Sequence, residues 1–136
     1  MKTLLFAGLA AVALAMSPSA AALEQINVNG TQRAIKVHVP EALPAGAPLV
    51  IACHGANQSA DWHDEHSAWK AVADTAKFVL VFPNAVNSFW DISGNSDVNF
   101  ILAIIDEMHS RHDINLNRVY MSGFSMGGML TYHCAN

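Results

Sequence analysis

Gly123-Phe124-Ser125-Met126-Gly127 is the segment that most narrows what this chain can fold into. It follows the apolar run Val119-Tyr120-Met121 and opens a helical stretch that continues to the chain end. G-x-S-x-G between a strand and a helix requires a sharp reversal that carries the serine into strained backbone geometry. Side chains two positions to either side would then clash, so glycine is needed there. The turn lifts the hydroxyl above the sheet edge. It also aims the amide of Met126, at a helix N-terminus, toward negative charge developing beside the serine. A bare match arises by chance in Gly/Ser-rich loops, and the strand before it and helix after it are what give it weight.

The rest of the chain alternates in the same way. Gln25 to Val28, Asn29-Gly30 and Arg33 to Val39 read as a β-hairpin, because Ile35, Val37 and Val39 alternate with Lys36 and His38 and Asn-Gly favours the tight turn. Pro40 to Pro48 is a connector. Leu49 to Cys53 is continuously apolar, as a strand buried on both faces would be. Asp61 to Ala76 is expected to be one helix capped by Asp61, and Phe78 to Phe82 a second buried strand closed by Pro83. Residues 84–96 form a loop containing Phe89 and Trp90. A helix then starts at Asp97 and repeats Val98, Ile101, Leu102, Ile105 and Met108 on one face. Arg118 to Gly123 is a third strand of the buried type. Strands alternating with helices imply an α/β fold, a mostly parallel sheet with helices on both faces and an antiparallel N-terminal hairpin.

Residues 1–22 stand apart. Met1-Lys2, the uncharged run Leu4 to Met16, the break at Ser17-Pro18-Ser19 and the small residues Ala20-Ala21-Ala22 have the layout of a secretory signal peptide, with cleavage after Ala21 or Ala22. The apolar run is shorter than the roughly 20 residues of a membrane-spanning helix. The expectation is a secreted or periplasmic protein with no stable membrane anchor, whose domain occupies residues 23–136. Without Lys2 the chain carries 6 basic and 11 acidic residues, a formal charge of −5 that gives no support to nucleic-acid binding. Cys53 and Cys134 are expected to be unpaired with each other, and no zinc-type spacing is present.

A second component of the same chemistry is His54-Gly55, which ends the strand at 49–53. An amide just after that strand supplies the other oxyanion donor in folds with this kind of turn, and Ala56 is the candidate. His54 precedes the serine, whereas the base of such a site normally follows it, so a hydrogen bond organising the loop is its expected role.

Taken together, His54-Gly55-Ala56-Asn57-Gln58 with Asp61, Phe89-Trp90, Asp97-Val98-Asn99-Phe100-Ile101 and Arg118 to Gly128 resemble the secreted polyhydroxybutyrate depolymerase and feruloyl esterase family of the α/β-hydrolases. The resemblance covers most of residues 25–135. It implies a cofactor-free serine esterase acting on polymer or plant cell-wall esters, with Ser125 as nucleophile and Met126 and Ala56 as oxyanion donors. It also places Trp90, and with it His54, beside the substrate, and makes Asp97 the start of a structural helix. Ala56 departs from the pattern, since relatives often carry cysteine there. A secreted peptidase of the same fold and a non-catalytic polysaccharide-binding fragment are the alternatives. No obligate protein partner is implied.

The remaining polar residues have plainer readings. His63-Asp64-Glu65-His66 lacks the spacing and third ligand of a metal site and reads as the polar face of a surface helix. Trp62 and Trp69 are expected to pack inward. His109 and His112 suit the C-terminal end of a helix dipole. After Ser125 the chain offers no Asp or Glu, and His133 lies eight residues along the same helix, about 12 Å away by helical rise. The expectation is that these 136 residues, as a truncated product or incomplete sequence, lack triad-dependent activity and fold poorly.

Overall fold

The computed structural model of the chain describes residues 21–136; the expected signal peptide falls outside them, apart from Ala21 and Ala22. Five strands form one sheet: β1 (Glu24–Val28), β2 (Thr31–His38), β3 (Leu49–Cys53), β4 (Val79–Pro83) and β5 (Val119–Gly123), in the order β1-β2-β4-β3-β5. β3 pairs in parallel with both β4 and β5, while β2 joins β4 antiparallel and carries β1 as a hairpin. The sheet is therefore mixed, parallel at β4-β3-β5 and antiparallel at β1-β2-β4. The hairpin turn at Asn29-Gly30 has positive φ at both residues, as the Asn-Gly pair foretold.

Period-two alternation sorts the two faces. Leu49, Ile51, Cys53, Val79 and Val81 point to one side, and Val50, Ala52, Leu80 and Phe82 to the other. The first side is covered by α3 (Ser96–His112) and α4 (Met126–Ala135) through Phe100, Ile104, Met108 and Leu130. The second is covered by α1 (Ala60–His66) and α2 (Trp69–Ala76) through Ala60, Ala73 and Trp69. Among the described residues no helix is long and apolar enough to cross a membrane.

Several local expectations change. The single helix at 61–76 is two, because Ser67 adopts an extended conformation between α1 and α2. The cap of α1 is Ser59, whose hydroxyl accepts from the Trp62 amide at 3.1 Å; Asp61 instead pairs with Lys36 at 2.8 Å. His63 and Asp64 are buried rather than on a solvated face, with Asp64 gripped by Lys36 and Lys70. Trp62 does not pack inward: it is 40% exposed and stacks on His66. Along α3 the buried stripe is Asp97, Phe100, Ile101, Ile104 and Met108, leaving Leu102 exposed.

That stripe begins at a buried ion pair. Arg33 Nη2 donates to Asp97 Oδ1 at 2.7 Å, both side chains being at least 94% buried, and the guanidinium lies 3.9 Å over the Phe100 ring. Asp97 Oδ2 accepts from the Asp91 amide at 2.6 Å. The first turn of α3 is thereby fixed to β2 and to the loop before it. Replacing Asp97 by Ala would strand the Arg33 charge in the core. We expect a loss of about 3–5 kcal/mol, measured by urea unfolding.

Candidate active site

Three turns converge at the carboxyl ends of the parallel strands, and the one after β5 is the most constrained. Ser125 has φ 53° and ψ −117°, a conformation sparsely populated by residues with side chains. A Cβ on Gly123 would overlap the backbone of Gly127, and one on Gly127 would overlap the carbonyl oxygen of Cys53. Both glycines of the motif are therefore required sterically. The first turn of α4 lies directly against the end of β3, and the Phe124 amide extends the pairing by donating to Cys53 O at 3.1 Å. Ser125 is exposed, and its carbonyl accepts from Gly128 at 2.9 Å and Met129 at 3.3 Å.

The turn after β3 is closed twice. Gln58 N donates to Gly55 O at 3.2 Å, and Gly55 N donates to Gln58 Oε1 at 2.8 Å. Asn57 takes φ 60°, and its amide donates to Ser88 O at 3.0 Å. With the Gly55 and Asn57 amides engaged, the Ala56 N–H has no acceptor among the described residues, and neither has that of Met126. The two turns touch, since a Cβ on Gly55 would stand 3.0 Å from Phe124 Cδ1. Two unpartnered donors beside an exposed, strained serine can stabilise an oxyanion on a group bonded to that serine. Gln58 was in the sequence pattern without a role; its turn-closing bond depends on backbone geometry that the sequence does not display.

His54 and Trp90 lie beneath this turn. His54 is fully buried, its Nδ1–H donating to Gly55 O at 2.7 Å and its Nε2 accepting from the Ala85 amide at 3.1 Å. Trp90 is 3% exposed, donates from Nε1 to His54 O at 2.8 Å and packs on the imidazole with ring centroids 4.7 Å apart. Neither side chain opens to solvent as a substrate-contacting group would; both support the turn that bears Ala56. Asp91 holds the neighbouring loop, accepting from the amides of Gly94, Ser93 and Ser96, and these donors keep its pKa below the ordinary value. His133 Nε2 donates to Gly94 O at 2.7 Å and so ties α4 to that loop.

Among the described residues, no side chain hydrogen-bonds the Ser125 hydroxyl, and no group of three His, Cys, Asp or Glu side chains is placed to hold a metal. Cys53 and Cys134 are free thiols; burial pushes the Cys53 pKa far up, which marks a core side chain rather than a nucleophile.

Two measurements test this geometry. Replacing Ser125 by Gly should raise stability by about 1–2 kcal/mol in urea unfolding, through release of backbone strain. Loss of stability would show that the serine conformation is unstrained. Burial also lowers the pKa values of His54 and His63. Their neutral forms are favoured on folding, so stability is full above the unfolded value near 6.5 and falls as pH drops below it. Unfolding followed from pH 7.5 to 5 should show that decline. His63→Gln should make it shallower, since the His63 ring has no hydrogen-bond partner among the described residues and its loss removes only the titrating group.

No family model matches the chain. A bifunctional acetylxylan esterase/xylanase of Neocallimastix patriciarum is 41% identical over 106 residues, 76% of this chain and 16% of that protein. Poly(3-hydroxyalkanoate) depolymerase C of Paucimonas lemoignei is 38% identical over 146 aligned positions, 96% of this chain and 34% of that protein. The chain thus spans about a third or less of the length of these two curated relatives. Among solved structures, the acetyl xylan esterase from Aspergillus awamori superposes with a TM-score of 0.74 at 20% identity, covering 84% of this chain and 46% of that one.

Proposed function

We propose, for a chain that is a homologue of the acetylxylan esterases, polyhydroxyalkanoate depolymerases and feruloyl esterases and has the α/β-hydrolase fold, that its function is hydrolysis of carboxylic esters with Ser125 as the nucleophile. The observation that carries this reading is the strained, exposed Ser125 flanked by the unpartnered amides of Met126 and Ala56.

The chemistry follows from that arrangement. Ser125 Oγ adds to the ester carbonyl carbon, and the π-electron pair moves onto oxygen, where the Met126 and Ala56 N–H groups hold the charge. The serine proton passes to a base, which returns it to the alkoxide as the C–O bond breaks and the alcohol leaves. Water then attacks the acyl-serine by the same route, releasing the acid and restoring the hydroxyl. No cofactor is required.

The base is assigned to polypeptide outside residues 21–136, together with the carboxylate that orients it. His54 spends both ring nitrogens on backbone groups, and His133 is committed to Gly94. His54 and Trp90 are assigned to holding the Ala56 turn, with Trp90 at the floor of the ester cleft rather than on the substrate. Export directed by residues 1–22 completes the proposal, because polymeric esters are met outside the cell.

The test is hydrolysis of p-nitrophenyl acetate by the protein that contains this chain. Ser125→Ala should reduce kcat at least about 10³-fold. Ala56→Pro, which removes one N–H, should lower kcat about 10²–10³-fold with little change in KM. Turnover that survives Ser125→Ala would falsify the assignment.

A further inference from the structure

The turn after β3 carries its candidate oxyanion donor on the peptide group between Gly55 and Ala56. No cis peptide occurs among the described residues, so in this planar unit the Gly55 carbonyl and the Ala56 N–H point in opposite directions. Whatever holds the oxygen therefore aims the hydrogen. Gly55 O accepts from His54 Nδ1 at 2.7 Å and from Gln58 N at 3.2 Å. His54 is fully buried, so the oxygen is turned inward and the Ala56 N–H outward. The reverse orientation, with the carbonyl outward, would set partial negative charge where an oxyanion has to form.

Glycine at 55 makes that alternative accessible. Without a Cβ the backbone on either side of its Cα turns with little steric resistance, so rotation of the peptide is opposed chiefly by hydrogen bonds. The preceding peptide is held at both ends: His54 O accepts from Trp90 Nε1 at 2.8 Å, and Gly55 N donates to Gln58 Oε1 at 2.8 Å. Gln58 thus bonds both peptide units that meet at Gly55, one through its amide and the other through its side chain. Closing the turn needs only the bond from Gln58 N to Gly55 O. The side-chain bond restrains the glycine instead. The carboxamide also covers it: a Cβ on Gly55 would stand 3.0 Å from Gln58 Oε1 and 3.0 Å from Cδ1 of Phe124, the residue before Ser125.

We propose that Gln58 is a positioning residue: its side chain and amide together keep the Gly55–Ala56 peptide from turning over, so that the Ala56 N–H stays presented to an oxygen bound beside Ser125. Gln58 touches neither substrate nor reacting atoms and acts through Ala56. The proposal rests on the ester-hydrolase reading, which makes that N–H an oxyanion donor, and adds the residue that sets the donor's direction. Loss of the side chain leaves the Gly55 N–H without its acceptor and lets both peptide orientations be populated, of which one supports turnover. The effect falls on the transition state, where the charge develops, and not on binding of the neutral ester.

The experiment measures hydrolysis of p-nitrophenyl acetate by the protein that contains this chain, in four forms: unchanged, Gln58→Met, Ala56→Pro and the two replacements together. Methionine keeps the length of glutamine and removes the acceptor. Gln58→Met should lower kcat at least about fivefold and leave KM within about twofold, as loss of one hydrogen bond that acts in the transition state implies. In the Ala56→Pro background, where the donor is already gone, the same replacement should change kcat less than about twofold. A merely structural role would lower kcat by the same factor in both backgrounds, and that result overturns the proposal. An unchanged kcat or a loss confined to KM overturns it as well. Circular dichroism of Gln58→Met should match that of the unchanged protein; a variant that fails to fold makes Gln58 structural and also counts against the proposal. Turnover that survives Ser125→Ala removes the ester reading whatever Gln58 does, whereas Ser125-dependent turnover with additive variants removes the positioning role alone.

Discussion

The approach of the α4 backbone to the end of β3 is the constraint on which the rest of the site depends. Gly127 sits against the Cys53 carbonyl with no space for a side chain, and Gly123 sits equally close to Gly127. Once these backbones are in contact, Ser125 has only a positive-φ conformation available, and its hydroxyl is carried out to solvent. The Met126 amide becomes the first of α4 without an intrahelical acceptor for the same reason. Strain, exposure and an unused donor thus come from one packing event.

The second turn needs a different kind of support. Its Ala56 N–H is left over while the groups around it are engaged with one another: Gly55 with Gln58, Asn57 N with Ser88 O, His54 with Gly55 and Ala85. Burial lowers the His54 pKa, which favours the neutral ring that accepts at one nitrogen while donating at the other. Trp90 closes the arrangement from below by donating to the His54 carbonyl. Further along the same sheet edge, the Arg33–Asp97 pair fixes the start of α3 against β2 and leaves a polar cavity between them. The edge is therefore braced by hydrogen bonds or packing at three successive points.

Much of this was legible in the residues. Period-two alternation in β2, the continuous apolar runs of β3 and β4, and Asn29-Gly30 are local signals, and the strands and hairpin fall within a residue or two of where they point. The break between α1 and α2 was not legible, because Ser67 and Ala68 are compatible with a helix; tertiary packing of Trp69 on Phe78 accompanies the restart. On α3 the expected face holds at Ile101, Ile105 and Met108 and fails at Leu102. Leu102 is as apolar as Ile101, but the buried stripe runs through Asp97, Phe100, Ile101 and Ile104 and leaves Leu102 outside it.

What the sequence determined by itself is the serine turn: glycine at 123 and 127 around Ser125, between a strand and a helix, admits few backbone paths. Which polar groups remain free was decided only by the tertiary structure. His54 and Trp90 look like reactive or binding residues in the chain, yet both are buried in hydrogen bonds to backbone groups 31 and 36 residues away. Arg33 and Asp97, 64 residues apart, show no relation until the sheet brings them together. A turn is set by sterics among neighbours in sequence. Whether a donor is spare depends on every acceptor that folding brings within about 3 Å, and that is a property of the whole chain.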